Sequence, residues 1–242
     1  MQMRKILPVL ACALVSSPTL ALNIVFDYDA NSSFFTDERR DALERAALVY
    51  ENYITNDLNV FVALDSVVET EGLAWGGTST IANFQRDWNG TITFNESYSW
   101  YSGTAESFSG FDLFSVALHE LGHVFGVGIV DTWDVHVLNG SFYGQNAVGV
   151  YGNPVPVDAL GGHWLDGVMS TLPGTETWRL VNYSPYISSG ERQYLTDLDL
   201  AGLRDIGWSI PSVIPEPATL YLLLSGLGVV GFARRRQRIS AA

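Results

Sequence analysis

The chain has 242 residues, of which 47% are hydrophobic and 12% aromatic, and this is enough for one well-packed core. Its formal net charge is −13, which argues against nucleic acids and anionic membranes as partners, because both carry negative charge. A single cysteine, Cys12, excludes an internal disulfide framework.

Residues 1–21 have the organisation of a secretory signal peptide. Arg4 and Lys5 form a basic start, an apolar stretch follows, and small residues lead to Ala21. We expect cleavage after Ala21 and export of the rest of the chain. Cleavage there also removes Cys12, so the exported protein must gain its stability from its core or from a bound metal.

Residues 22–213 form the predicted globular domain, which we expect to be α+β. Between Leu22 and Ile214 there are 25 acidic and 7 basic residues, a net charge of −18. We interpret this charge mainly as a surface that keeps an exported protein soluble. Calcium binding by the acidic loops is a second interpretation of this charge, although no EF-hand spacing occurs in the sequence.

The first half of this domain combines one helix with several strands. Apolar residues at helical spacing predict a helix over residues 36–53. Short apolar runs predict strands over residues 59–64 and 91–95, and Asn89-Gly90 ahead of the second strand is typical of a turn. Between the two strands we expect a loop with an edge strand.

The strongest helix signal in the sequence covers residues 109–125. Ser109 followed three residues later by Asp112 resembles a capping box, and Gly126 supplies a stop. Apolar residues on one face would bury this helix in the core and hold it rigid.

The same helix contains the pattern H-E-x-x-H at His119, Glu120 and His123. Residues four apart lie one above the other on a helix, so both imidazoles can bind one ion. Glu120 is rotated by about 100°, which places its carboxylate beside the ion, where it can accept a proton from an activated water. With 4 histidines in 242 residues, chance yields on the order of 0.002 occurrences of this pattern.

A catalytic zinc usually has three protein ligands, so a third ligand is needed. Gly126 follows His123 by three residues, as in the motif H-E-x-x-H-x-x-G-x-x-H, but Ile129 occupies the position of that motif's third histidine. The compact form is therefore excluded. The remaining candidates are His163, His136, Asp131 and Asp134.

Three further features accompany the H-E-x-x-H pattern: His163-Trp164, Met169-Ser170 six residues later, and the segment LTDLDLAGLRDIGW at residues 195–208. Together they resemble metzincin-like zinc metallopeptidases of the leishmanolysin type, over about residues 112–208. In that type, a long insertion separates the glycine turn from a displaced histidine and a Met-turn.

The resemblance implies a zincin domain with a small mixed sheet, an active-site helix and a loop-rich C-terminal subdomain. It also implies one catalytic zinc, with His163 as the third ligand and Met169 as the apolar floor beneath the metal.

The second half of the domain, residues 127–194, is expected to be loop-rich, with a last helix over residues 195–205. Its insertion carries aromatic residues that either shape a substrate cleft or pack their own loops: Trp133, Phe142, Tyr143 and Tyr151. We interpret Trp164 as a core residue. Tyr183 and Tyr186 are candidates for stabilising an oxyanion, but no motif supports either, so neither is included in the predicted site.

Residues 214–242 differ in composition from the rest. Pro215-Glu216-Pro217 precedes an apolar run over residues 218–233, and four arginines follow. This order resembles the PEP-CTERM sorting signal of Gram-negative bacteria. The resemblance implies a transient inner-membrane anchor, processing by an exosortase, and residence at the cell surface or in an exopolysaccharide matrix. A plain single-pass anchor is the alternative.

Together these features predict an exported zinc-dependent endopeptidase that hydrolyses protein or peptide substrates, with Glu120 as general base. A catalytically silent matrix or adhesive protein that retains the fold is the main alternative. A zinc hydrolase acting on polysaccharide is a weaker one, since glycoside hydrolysis ordinarily uses paired carboxylates.

Overall fold

The structure, a computed structural model, describes residues 22–79 and 87–211. The predicted signal peptide at residues 1–21 and the predicted sorting tail at residues 214–242 lie outside these ranges. Within the described ranges, no helix is long and apolar enough to cross a membrane. The predicted membrane helix of the tail falls outside them.

The described part of the chain has a mixed α+β fold with small sheets. Its five helices are α1 (Asp37–Tyr53), α2 (Leu113–Val124), α3 (Asp131–Asp134), α4 (Gln145–Tyr151) and α5 (Asp197–Asp205). Its eleven strands are β1 (Asn23–Tyr28), β2 (Asn59–Val67), β3 (Ala74–Thr78), β4 (Trp88–Asn95), β5 (Trp100–Tyr101), β6 (Phe111–Asp112), β7 (Val137–Leu138), β8 (Ser141–Phe142), β9 (Val155–Pro156), β10 (Met169–Thr171) and β11 (Trp178–Leu180).

The largest sheet has four strands in the order β1-β2-β4-β3. Strands β1, β2 and β4 are parallel, and β3 pairs antiparallel with β4 at one edge. Helices α1 and α2 contact each other as well as strands of this sheet, so the main core lies between the helices and the sheet.

Helix α1 agrees with the prediction over residues 36–53. Thr36 is its N-cap and accepts a hydrogen bond from the Arg39 backbone N–H, and Asp37 and Glu38 place negative charge in the first turn. The residues that it buries recur at helical spacing: Ala42, Leu43, Ala46, Ala47 and Tyr50.

The strands agree only in part with their predictions. The predicted strand over residues 59–64 is β2, and β3 is the expected edge strand. The predicted turn at Asn89-Gly90 is wrong, because both residues lie inside β4. A Cβ at Gly90 would lie 2.5 Å from Val124, so a glycine is needed here to let α2 approach the sheet. Strand β1 has no counterpart among the predicted elements.

Helix α2 begins four residues later than predicted. Its N-cap is Asp112, which accepts hydrogen bonds from the Ser115 backbone N–H and side chain, whereas Ser109 precedes the short strand β6. The Asp112 carboxylate is fully buried and pairs with Arg192 through contacts of 2.7 and 2.9 Å. A cap shared with a distant arginine therefore sets the start of this helix.

The C-terminal end of α2 is held by side chains from other parts of the core. Trp88 Nε1 donates to the Val124 carbonyl at 2.6 Å, and Trp208 Nε1 donates to the Phe125 carbonyl at 2.8 Å. The predicted stop at Gly126 is confirmed, since this residue adopts a φ of 103°, a conformation that favours glycine. Both ends of the helix are thus fixed by the tertiary structure.

The second half of the domain is loop-rich, as expected, with short helices and strands. Trp164 is fully buried and packs against Trp133 and Phe142, which agrees with its interpretation as a core residue. The predicted last helix is α5, which begins at a capping box formed by Thr196 and Asp199.

Candidate metal centre

Three half-buried histidines converge beside helix α2. His123 Nε2 lies 3.1 Å from His119 Nε2 and 3.1 Å from His163 Nε2. Within the described residues, these three side chains form a group whose ligand atoms all lie within 4.8 Å of one another. The structure therefore places the three predicted metal-binding histidines together.

The protonation of each imidazole follows from the partner of its other nitrogen. His119 Nδ1 lies 2.8 Å from the Asn182 carbonyl, and His123 Nδ1 lies 2.8 Å from the Val127 carbonyl. His163 Nδ1 lies 2.9 Å from an Asp158 carboxylate oxygen. Since these oxygens only accept, each Nδ1 carries a proton, and each Nε2 presents a lone pair to the same point.

Three lone pairs that face one another do not form hydrogen bonds, so the short Nε2–Nε2 contacts fit a shared cation. Nitrogen ligands at about 2.0–2.1 Å from a tetrahedral zinc would lie about 3.3 Å apart, close to the observed spacing. Burial lowers the pKa of His119 well below its ordinary value and lowers the pKa of His123 to about 4. These two histidines are thus neutral at physiological pH, the form that binds zinc.

Glu120 lies beside this group and has only 5% of its surface exposed. Burial raises the pKa of its carboxyl to about 8, although a hydrogen bond from the Gly76 backbone N–H acts in the opposite direction. A bound dication would lower this pKa again, because it favours the ionised carboxylate. The environment suits a group that exchanges a proton near neutral pH.

The other candidates for a third ligand lie outside this group. His136 Nε2 contacts the Asp205 carbonyl at 3.2 Å. Asp131 and Asp134 lie at the two ends of the short helix α3 and are exposed. His163 takes the third position because the insertion returns to the glycine turn, where a Cβ at Gly128 would lie 2.2 Å from the Gly162 carbonyl oxygen.

Met169 as the floor beneath the metal stays a prediction, because no contact described in the structure joins this residue to the histidines. Its side chain is 43% exposed on β10, where successive residues alternate between outside and inside, and Ser170 is the buried one. Tyr183 lies close to the histidines: it is 1% exposed, its ring centroid is 6.5 Å from that of His119, and a Cβ at Gly122 would lie 2.3 Å from its ring.

The Tyr183 hydroxyl is part of a buried hydrogen-bond chain. It lies 3.0 Å from the Tyr50 hydroxyl, which donates to the Leu118 carbonyl at 2.6 Å. Each hydroxyl has one proton, so Tyr183 donates to Tyr50. Tyr183 is therefore a structural support for α2 and is not free to stabilise an oxyanion. Tyr186, by contrast, is 70% exposed and lines the cavity described below.

Asp199 of α5 is a buried residue that the predicted site does not include. Its carboxylate accepts hydrogen bonds from the backbone N–H groups of Asn182 and Tyr183 and from the indole N–H of Trp164. Asn182 provides the carbonyl partner of His119, and Trp164 follows His163. The Asp residues of the segment LTDLDLAGLRDIGW are the signal that could have indicated this link.

A cavity of about 450 Å³ opens over the histidines. It is bounded by α2, by β3 with the residues before it, and by residues 184–187. Its described lining includes none of the four aromatic residues of the insertion that are candidates for shaping a cleft: Trp133, Phe142, Tyr143 and Tyr151. Trp133 and Phe142 pack in the core, so these two rings support the loops of the insertion.

Comparison with known proteins finds two families. The Matrixin family model matches residues 47–134, which include the H-E-x-x-H helix and end before His163. The model of the PEP-CTERM protein-sorting motif matches residues 213–237. No curated protein matches the chain.

The Matrixin match supports a metzincin fold and a zinc metallopeptidase in general, and the sorting motif implies export with exosortase processing. The resemblance seen in the sequence is thus confirmed. The chain is thus similar to the Matrixin family over residues 47–134 and to the PEP-CTERM protein-sorting motif over residues 213–237, and its three histidines are consistent with a metzincin-like zinc site.

Proposed function

We propose that the protein is an exported zinc-dependent endopeptidase. The observation that carries this proposal is the convergence of three Nε2 lone pairs beside the buried Glu120 carboxylate in an open cavity. His119, His123 and His163 would hold the ion. When bound, zinc supplies Lewis acidity, which polarises a substrate carbonyl and makes water more acidic.

Glu120 then has a defined role in the reaction. Its carboxylate accepts a proton from the attacking water as the water oxygen bonds to the carbonyl carbon. The same proton passes to the leaving nitrogen when the C–N bond breaks, so one water is consumed for each bond cleaved. Gly76 donates its backbone N–H to this carboxylate and holds it beside the histidines.

Strand β3 supports an extended peptide as the substrate. It is the edge strand of the sheet, and Ala74, Trp75 and Gly76 line the cavity. A peptide can add to such an edge through main-chain hydrogen bonds, which bind many sequences alike. Pairing along β3 would carry the peptide past Glu120, because Gly76 contacts this residue.

Gly76→Ala is expected to lower the rate of peptide cleavage by about 10- to 100-fold without loss of zinc. A Cβ at this position would lie 2.5 Å from the Glu120 carbonyl oxygen and 2.8 Å from its carboxylate, so β3 or Glu120 must shift. A misplacement of about 1 Å can cost about 100-fold in rate. The effect is measured as the steady-state rate of cleavage of a fluorogenic peptide, and the zinc content of the variant is measured on the same sample.

Gly77→Ala is the matched control, because a Cβ there meets nothing within 4 Å. The control should cleave at the wild-type rate. Equal rates for both variants would contradict the placement of β3 against the catalytic carboxylate.

A catalytically silent matrix or adhesive protein is the second candidate function. Ile129, in place of the third histidine of the compact motif, and the sorting motif favour it. Glu120 argues against it, since an ion with a structural role needs ligands and no base. A polysaccharide hydrolase is less favoured, because Glu120 is the only carboxylate among the described residues that line the cavity.

Mass analysis of the products of unfolded casein tests the proposed reaction. Paired fragments whose summed mass equals that of the substrate plus one water are expected, and they should vanish on zinc chelation. If the zinc-loaded protein leaves casein uncleaved, the result would favour the catalytically silent matrix protein.

We further propose that the leader at residues 1–21 directs export and that the tail anchors the protein transiently in the inner membrane. Release would place the protein at the cell surface or in an exopolysaccharide matrix. The matrix as a partner and calcium in the acidic loops stay predictions.

A further inference from the structure

His163 lies on a short loop closed by its own backbone. Val157 and Trp164 form an antiparallel bridge, and inside it the Asp158 backbone N–H donates to the His163 carbonyl at 3.0 Å. The Gly161 N–H donates to the Asp158 carbonyl, also at 3.0 Å. Asp158 and His163 are thus held face to face across the base of a six-residue loop.

The two carboxylate oxygens of Asp158 have separate partners. Oδ1 accepts from the Gly162 backbone N–H at 3.0 Å, and Oδ2 accepts from His163 Nδ1 at 2.9 Å. The Asp158 side chain is only 18% exposed. Both carboxylate oxygens are thus engaged within the loop that carries His163.

The loop itself is anchored to the glycine turn that follows α2. Trp133 Nε1 donates to the Gly161 carbonyl at 2.7 Å, and Gly128 contacts Gly162 closely enough that a Cβ would not fit. These contacts fix the backbone of the loop but do not touch the His163 ring. The orientation of the ring is fixed by its hydrogen bond to Asp158.

His163 differs from the other two histidines in this respect. His119 and His123 stand on a buried helix, and backbone carbonyls accept from their Nδ1 atoms. His163 is 40 residues from His123 in sequence and has a carboxylate partner. A carboxylate orients an imidazole, selects the tautomer with a proton on Nδ1, and makes Nε2 a stronger ligand.

We infer that Asp158 is a positioning residue that presets His163 as the third zinc ligand before the ion binds. The inference rests on the zinc site proposed above. His163 lies on a loop, whereas His119 and His123 lie on α2, and Asp158 supplies the orientation that the helix gives to the other two histidines. The substitution Asp158→Asn would remove this property, because a side-chain amide has one acceptor for two donors and can donate to Nδ1, which would move the ring proton to Nε2.

The test compares the zinc affinity of Asp158→Asn and Asp158→Ala with that of the wild type, using competition with a chromophoric chelator. We expect zinc dissociation constants about 10- to 100-fold higher in both variants, the range typical of a lost outer-shell partner. Asp134→Asn is the matched control: it removes the same charge from an exposed site on the insertion and should bind zinc like the wild type.

The near-UV circular dichroism of the zinc-free proteins shows whether each variant keeps its fold. If either folded Asp158 variant binds zinc as tightly as Asp134→Asn, the inference is overturned. Absorption spectra with Co²⁺ should also change for the Asp158 variants, and a wild-type spectrum would contradict a role in ligand orientation. Zinc affinity is measured without substrate. A wild type that binds zinc but cleaves no peptide would therefore contradict the proposed peptidase and leave the role of Asp158 unaffected.

Discussion

Glu120→Gln is expected to lower the rate of peptide hydrolysis by at least about 100-fold, the usual contribution of a general base. Glutamine has nearly the same shape and can still accept the Gly76 N–H, but it cannot take a proton from water. The variant should keep its zinc, because Glu120 stands beside the three histidines and is not one of the grouped ligands. Initial rates on unfolded casein measure the effect.

Zinc content of the purified variant is the control for this result. One zinc per chain in both proteins, with activity lost in the variant, would agree with Glu120 as the base. Activity near the wild-type level at full zinc occupancy would remove Glu120 from the mechanism.

His163→Ala should weaken zinc binding by more than about 100-fold, since even lost partners of a ligand cost about 10- to 100-fold. His136→Ala should leave the affinity unchanged, because its ring contacts the Asp205 carbonyl and Phe142 instead of the histidine group. Chelator competition on both variants supplies the measurement.

The two substitutions are matched, since each removes one half-buried imidazole from the region after α2. Far-UV circular dichroism at equal concentration controls for loss of fold. Equal losses of affinity in the two variants would contradict His163 as the third ligand.

Local sequence signals are sufficient to predict the elements that carry the metal site. The H-E-x-x-H spacing on an apolar helix predicts α2 and the approach of His119 and His123, since helical geometry alone brings residues four apart together. Thr36 and Thr196 are caps followed by helical apolar patterns, and α1 and α5 follow them closely.

The errors lie at positions set by distant contacts. Asp112, and not Ser109, starts α2, because the Asp112 carboxylate pairs with Arg192, 80 residues away. Gly90 has the sequence context of a turn, but it lies in β4 because a helix packs against it. Neither contact has a local signature.

Met169 is a site residue that only the resemblance predicts. The resemblance predicts a methionine after the third histidine as the floor of the site, yet the strand turns this residue outward. Tyr183 stands near His119 because Asp199 binds its backbone, together with that of Asn182. The number of residues between Tyr183 and His163 cannot indicate that Tyr183 lies near His119, because the hydrogen bonds to Asp199 set that position.

The central claim is tested most directly by titrating the metal-free protein with zinc and measuring the cleavage of unfolded casein. The rate and the bound zinc are measured at each addition. The proposed endopeptidase predicts a rate that rises with zinc and reaches its maximum at one zinc per chain. No cleavage at one bound zinc per chain would contradict it and would support a matrix protein whose metal is structural.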